Sequence, residues 1–287
     1  MPVLLAVGAV AGAALCYGAA AVLQAAAVAR ASRPGLTGLV GGLARDPRYA
    51  GGLALVGTGF LLSLIAIRDL PLFVVQAGRA SSLAVTAVLA TATLGTRLRR
   101  SEAGALAGVA AGLVAVSLAA APAGPAAVPD GVRWAVLAAA GVLAALTLSS
   151  VRTLRSARGG PVLAVLAGCG FGLLSLGARV LGPVTVPGVL ADPSAYAIAL
   201  SGATGLLAGA LALQRGSVVT VTTTMVATEA VLGSLLGVAV GDRPAPGMGG
   251  LAVAGFVVTV GSALMLSRFG ALEASPAAPD RRLPDPD

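Results

Sequence analysis

Two charged residues interrupt long apolar stretches of this 287-residue sequence. Arg79 lies within the apolar run 71–94, and Glu229 lies within the run 217–240. An ionisable side chain inside a membrane-spanning run costs about 2.5–3.5 kcal/mol on insertion scales, so it is a candidate for function by default. An arginine there can bind an anionic group. A glutamate can carry a proton or compete for the arginine.

Polar and aromatic side chains at neighbouring positions extend this candidate site. They lie near the Arg79 face, flank Glu229 or come from the first apolar run, although each alone is more typical of helix-to-helix hydrogen bonding. A second interpretation stays open, in which Arg79 and Glu229 form a buried ion pair that only fixes helix packing. The predicted residues for substrate binding or coupling are Arg79, Glu229, Gln76, Ser82, Thr86, Thr222, Met225, Thr228, Tyr17 and Gln24.

The composition indicates that membrane helices position these residues. Hydrophobic residues make up 57% of the chain and charged residues 10%, against roughly 25% charged in soluble domains. We therefore expect an all-α polytopic membrane protein with a lipid-bilayer environment. A helix crosses the bilayer core with about 20 apolar residues. Nine segments qualify: 3–29, 49–67, 71–94, 103–121, 134–150, 161–182, 194–213, 217–240 and 248–267.

The distribution of arginine predicts the orientation of these spans. All 19 basic residues are arginine. With the N-terminus outside, fourteen of them fall on the inner side and only Arg68, Arg133, Arg179 and Arg243 on the outer side, as the positive-inside rule requires. Arg179 lies near a span end, and we expect it to extend to the membrane interface. The C-terminus is then cytoplasmic, with a disordered tail at 269–287, and the chain belongs in the cell membrane.

Several classes of function are disfavoured by what the sequence lacks. It has no histidine, and its two cysteines, Cys16 and Cys169, lie within apolar runs. The sequence contains no residue pattern typical of a metal site, a cofactor site or a catalytic site, so we expect no enzyme activity. The arginines lie in short loops and aromatic residues are only 3%, which disfavours nucleic-acid binding.

Glycines spaced four apart predict close helix packing. We expect these ridges to pack within the chain, with a homodimer face as the alternative. They are Gly8 and Gly12; Gly104, Gly108 and Gly112; Gly205 and Gly209; and Gly233, Gly237 and Gly241.

The sequence also contains a weak internal repeat. A shift of 146 residues places Gly95-Thr96-Arg97 on Gly241-Asp242-Arg243, and the first spans match separately through Tyr17-Gly18 and Phe171-Gly172. The predicted transmembrane domain covers residues 1–268. It consists of repeat one at about 3–121, a linker span at 134–150 and repeat two at about 161–267. The matching spans are five crossings apart, so the repeats are inverted, as in many transporters.

This repeat relates the two charged residues. Under the shift, Arg79 corresponds to Met225 and Glu229 to Leu83. Residues four apart share a helix face. Arg79 and Glu229 therefore occupy the same face of related helices, and we expect that they can meet.

The chain resembles the drug/metabolite transporter superfamily with the EamA-like fold, and most closely its NIPA-type nine-span members. The resemblance implies a secondary-active transporter that moves a small solute by alternating access, and Arg79 favours an anionic or zwitterionic metabolite. A scaffold or accessory subunit is one alternative. Magnesium transport is another, although Glu229 is the only acid within the spans. The matching segments are Leu15-Cys16-Tyr17-Gly18, Val22-Leu23-Gln24, Leu70-Pro71-Leu72, Ser81-Ser82-Leu83-Ala84-Val85, Leu94-Gly95-Thr96-Arg97 and Val240-Gly241-Asp242-Arg243.

Overall fold

Helices account for nearly all of the chain that the computed structural model describes, namely residues 2–30, 46–94, 100–121, 128–153, 159–215 and 218–273. These residues contain no strand, only an isolated bridge between Ala120 and Pro244. The helices are α1 (Pro2–Arg30), α2 (Pro47–Asp69), α3 (Leu72–Ala80), α4 (Ser82–Leu94), α5 (Arg100–Leu118), α6 (Asp130–Thr153), α7 (Gly159–Val180), α8 (Val186–Ala191), α9 (Pro193–Arg215), α10 (Val218–Ala239) and α11 (Gly249–Glu273).

Within the described residues, seven helical segments are long and apolar enough to cross a membrane. This confirms the all-α polytopic class. The other two predicted spans correspond to shorter apolar stretches, Ala103–Leu118 and Gly249–Met265, so the count of nine stays a prediction. Helix α11 continues to Glu273, and the rest of the predicted tail lies outside the described residues. The seven segments are Leu4–Gln24, Pro47–Asp69, Leu72–Leu89, Asp130–Arg152, Gly159–Val180, Pro193–Leu213 and Val221–Ala239.

The helices pack in two groups of the same design. Helix α1 packs along α2 and against α3 and α4, and α7 packs in the same way along α9 and α10. Helix α6 lies against α7 and α9, and α5 lies along α11. Repeats one and two meet along α5 and α11, and also where α3 contacts α10.

The second helix of each group begins with the same cap. Asp46 accepts a hydrogen bond from the Arg48 N–H at 2.8 Å, and Asp192 accepts one from the Ser194 N–H at 2.8 Å. Proline occupies the first helical position in both cases, where its missing N–H costs nothing. The two Asp-Pro pairs are 146 positions apart, which equals the shift of the internal repeat.

Glycine ridges bring helices into contact within the chain. A Cβ added at Gly112 would lie 2.7 Å from the Gly255 carbonyl oxygen, and one at Gly170 would lie 2.8 Å from the Gly205 Cα. Both positions therefore require glycine for helix packing. Gly8 and Gly104 have no atom within 4 Å of an added Cβ. The possible homodimer face stays a prediction.

The third predicted span, 71–94, is not one continuous helix. It divides into α3 and α4 at Ser81, whose hydroxyl donates to the Gly78 carbonyl at 2.6 Å. Serine side chains that bond the preceding turn bend helices, and Gly and Ser together are a common place for a kink. Arg79 lies directly before this break.

Candidate functional site

A cavity of about 200 Å³ lies where α1, α3, α4 and α10 meet. Its apolar lining comes from Ala21, Ala80, Leu83, Val226 and Ala230. The third span contributes two parts of the cavity wall, one from α3 and one from α4, and the break at Ser81 lies between them. Seven of the ten residues predicted from the sequence also line it: Tyr17, Gln76, Arg79, Ser82, Thr86, Thr222 and Glu229.

Arg79 and Glu229 form an ion pair in the wall of this cavity. The Arg79 Nη1 and Glu229 Oε1 atoms are 2.7 Å apart, and the side chains are 16% and 11% exposed. The prediction that they can meet is confirmed. Oε1 accepts no well-aligned hydrogen bond among the described residues, so the contact is a close charge pair without a directed N–H bond. Both residues lie near the middle of their apolar segments.

Two further contacts hold the Arg79 guanidinium. Its Nη1 donates to the Ser175 hydroxyl at 3.2 Å, and its Cζ lies 5.5 Å from the centre of the Tyr17 ring. A cation in this position is attracted by the ring face. Helices α1, α7 and α10 therefore all contact this one side chain. Ser175 was missed by the sequence reasoning, although the shift that pairs Tyr17 with Phe171 places it on the cavity residue Ala21.

Gln76 is the most unusual member of the site. Its side chain is 1% exposed, and neither amide atom has a hydrogen-bond partner among the described residues. It packs on Gly233 of α10, where an added Cβ would collide with the amide. A buried amide without partners costs about 1–3 kcal/mol per unsatisfied group. Gln76 also lines the cavity, so an unsatisfied donor and an unsatisfied acceptor lie in its wall.

Three predicted residues do not line the cavity. Gln24 contacts Gly52 of α2, Thr228 packs against Gly168 of α7, and the Met225 sulfur lies near Gly209 of α9. They lie outside the cavity despite their nearness in sequence, because each step along a helix turns by about 100°, and their role in binding or coupling stays a prediction. Met225 and Thr228 each precede a lining residue, so they face the neighbouring helices instead.

A second ion pair, between Arg179 and Asp242, is almost completely buried. Arg179 donates to Asp242 Oδ1 from Nη2 at 2.7 Å and from Nε at 3.1 Å, and the side chains are 3% and 2% exposed. The prediction that Arg179 extends to the membrane interface is therefore wrong. The nearby carboxylate and backbone carbonyls satisfy the guanidinium inside the protein.

Arg179 and Asp242 also form hydrogen bonds with free backbone groups at the ends of helices in the other group. Arg179 Nη1 donates to the carbonyls of Ile67 at 2.9 Å and Arg68 at 3.2 Å, at the end of α2. Asp242 Oδ2 accepts from the Leu72 N–H at 2.6 Å, at the start of α3. A cation suits a helix C-terminus and an anion suits an N-terminus. We call this region, formed by these five residues, the closed end.

Asp192 lies beside the closed end, between α8 and α9. It accepts hydrogen bonds from the Gly182 and Ser194 N–H groups, both at 2.8 Å, and lies 3.7 Å from Arg133. Burial acts to raise the pKa of Asp192, but these hydrogen bonds and the Arg133 charge outweigh it and lower the pKa below the usual aspartate value. The carboxylate is therefore charged at neutral pH.

A larger groove of about 410 Å³ lies between α10 and α11 and is lined mostly by apolar side chains such as Phe73 and Phe256. Its one hydroxyl, on Ser234, already donates to the Ala230 carbonyl at 2.7 Å. Specific binding of a small polar solute needs placed polar groups. The smaller cavity with Arg79 is the better candidate site despite its size.

No protein-family model, curated protein or solved structure matches the chain. The resemblance to the drug/metabolite transporter superfamily therefore stays a prediction. Within the described residues, no three His, Cys, Asp or Glu side chains are grouped so that they could hold a metal ion.

Proposed function

We propose that this protein is a secondary-active transporter in the cell membrane that moves a small anionic or zwitterionic solute by alternating access. The observation that carries this proposal is the cavity at the middle of the apolar segments. It contains the Arg79–Glu229 pair and the unpartnered amide of Gln76. Charged and unsatisfied polar groups at this depth are costly, and transporters place them at substrate and ion pathways.

The size and charge of the cavity narrow the class of solute. Pockets for drug-sized ligands measure roughly 300–1,000 Å³, whereas this cavity measures about 200 Å³. One cation and one anion face it, so a zwitterion can pair with both. A simple anion must compete with Glu229 for Arg79.

The proposed architecture is nine spans in two inverted repeats with the N-terminus outside, as in the drug/metabolite transporter superfamily. The equivalent packing of α1 and α7 supports two related halves. The identical Asp-Pro caps at Asp46 and Asp192 support the same shift of 146 residues. Substrate sites of such transporters lie at the repeat interface near the bilayer midplane.

The alternatives are less well supported. A scaffold needs only a sealed interface around the ion pair, and the cavity beside Arg79 argues against one. Magnesium transport requires several oxygen ligands without a competing cation, but Arg79 lies 2.7 Å from Glu229, the acid available there.

A thermal-shift screen of the purified protein tests the proposal. The panel contains small amino acids, monocarboxylates and dicarboxylates. A ligand at 100 times its Kd stabilises by about 2.7 kcal/mol, which raises the Tm of a protein of this size by roughly 5–10 °C. We expect this shift in the wild type and in Arg133→Gln, a control arginine outside the cavity. We expect it to be absent in the charge-neutral double variant Arg79→Gln/Glu229→Gln. A solute that shifts all three proteins equally would contradict the site.

A further inference from the structure

The two ends of the interface between the helix groups differ in packing. Residues 70–78, at the start of the third span, are all buried, whereas Leu83, Val85 and Thr86 on α4 are only half-buried. Helix α3 contacts α10, but α4 makes no comparable contact with it. Helices α3 and α10 therefore pack closely at the closed end, whereas α4 and α10 diverge beyond the Ser81 break, where α4 and α5 pack against α11 instead.

The cavity follows this separation. Gln76 and Arg79 line the part of the cavity nearest the closed end, and Ser82, Thr86 and Thr222 line it in the direction away from Asp242. That direction leads toward the start of α5 at Arg100 and the end of α9 at Arg215. In the proposed orientation, the closed end lies on the outer side, and the cavity extends from it toward the inner side.

The Arg179–Asp242 pair joins the two groups at the outer side. Both residues belong to repeat two, and their backbone partners Ile67, Arg68 and Leu72 belong to repeat one. We propose that this pair is the outer gate of the transporter, and that its separation from α2 and α3 opens the outer path to the cavity. This inference rests on the proposed transport function, because a gate has meaning only for a path that opens and closes.

The helices that carry the central ion pair also carry the gate. Helix α3 begins at Leu72, which is held by Asp242, and reaches Arg79 seven residues later, about 10.5 Å along the helix axis. Helix α10 carries Glu229 and leads directly to Asp242. A displacement of α10 from α3 therefore separates Asp242 from Leu72 and Glu229 from Arg79 together. Solute binding at Arg79 is thereby coupled to the gate.

The gate has no charged counterpart in the other repeat. The positions that correspond to Arg179 and Asp242 under the two shifts of the internal repeat are Ala25 and Thr96. The corresponding pair of positions in repeat one therefore cannot form an ion pair.

Spin-label distances across the closed end test the gate directly. Cys16 and Cys169 are replaced by serine, and labels are placed through Ile65→Cys on α2 and Val186→Cys on α8, both exposed side chains. The full chain is measured in nanodiscs. The gate variants are Asp242→Asn and Arg179→Lys, which keeps the charge but loses the planar fork. The matched control is Asp130→Asn, because the Asp130 carboxylate is exposed and pairs with Arg133, which lies outside α2, α3 and α8.

We expect one short distance in the wild-type background and in Asp130→Asn. Asp242→Asn should increase a longer-distance population at least tenfold, and Arg179→Lys should change it in the same direction by less. Unchanged distances in both folded gate variants would overturn the gate. If Asp242→Asn fails to fold, an unchanged Arg179→Lys distribution overturns it as well.

The outcome is separable from that of the solute screen. Opening of the gate variants without any Arg79-dependent solute would support the gate as a conformational change and contradict transport. An Arg79-dependent solute without opening would support transport and overturn the gate.

Discussion

Replacing Gln76 with methionine should stabilise the protein while removing its affinity for solute. The Gln76 amide is 1% exposed and lacks partners for both Nε2 and Oε1 among the described residues. Methionine has a similar volume and no amide, so the packing on Gly233 is retained. The substitution removes a polar group that is useful only when a solute occupies the cavity.

The magnitude follows from the position of the amide. Two unsatisfied groups in a dry core would cost about 1–3 kcal/mol each. Gln76 faces a cavity of about 200 Å³, which has room for several waters that recover part of this cost. We therefore expect a net gain near 1 kcal/mol, equivalent to roughly 2–4 °C in Tm for a domain of this size.

Thermal unfolding in a single detergent measures this gain. The matched control is Gln24→Met, because Gln24 is only half-buried and lies outside the cavity; its effect should stay within about 0.5 kcal/mol. In Gln76→Met, the Tm increase from a bound solute should disappear. A loss of about 1 kcal/mol or more in Gln76→Met would refute the reasoning, since it would show that the amide makes a stabilising hydrogen bond in the folded protein.

The remaining predictions concern two charge clusters. In a double-mutant cycle, Arg79→Gln and Glu229→Gln should each destabilise the protein more than their combination does, because each single change leaves one buried charge alone. Chemical unfolding should give a coupling energy of roughly 0.5–3 kcal/mol between the two residues. Additive effects would contradict the 2.7 Å contact. Asp192→Asn should lower the Tm at pH 7. The lowered pKa of Asp192 means that its stabilisation is present above the unfolded-state pKa of about 3.9 and lost as pH falls through the folded-state value. The Tm difference from wild type should therefore vanish at acidic pH, and a constant difference would show that the Asp192 charge is not responsible.

The central ion pair was predictable because a charge is rare within an apolar run. Arg79 and Glu229 each stand alone in their segments, and a spacing of four placed them on equivalent helix faces. The internal repeat alone was therefore enough to predict that Arg79 and Glu229 can contact each other. Tyr17 and Gln76 followed from the same reasoning, because both lie within the helices that enclose the pair.

The closed end was not predictable in this way. Arg179 and Asp242 lie near helix ends, where charged residues are ordinary in membrane proteins. Their partners, the carbonyls of α2 and the Leu72 N–H, are backbone groups that carry no sequence signal. The directions of the Met225 and Thr228 side chains were not predictable for a related reason. The direction of a side chain depends on how its helix is rotated against its neighbours.

A charged gate also suits alternating access better than an apolar one. A buried ion pair adds little net stability, because the cost of removing two charges from water offsets their attraction. When the outer path opens, water can solvate Arg179 and Asp242 and recover much of that cost. The open and closed states can therefore lie within a few kcal/mol of each other, the range in which the differential affinity of a solute shifts the population. A sealed apolar interface has no comparable compensation in water, so its opening would require more binding energy than a solute in a cavity of about 200 Å³ can readily supply.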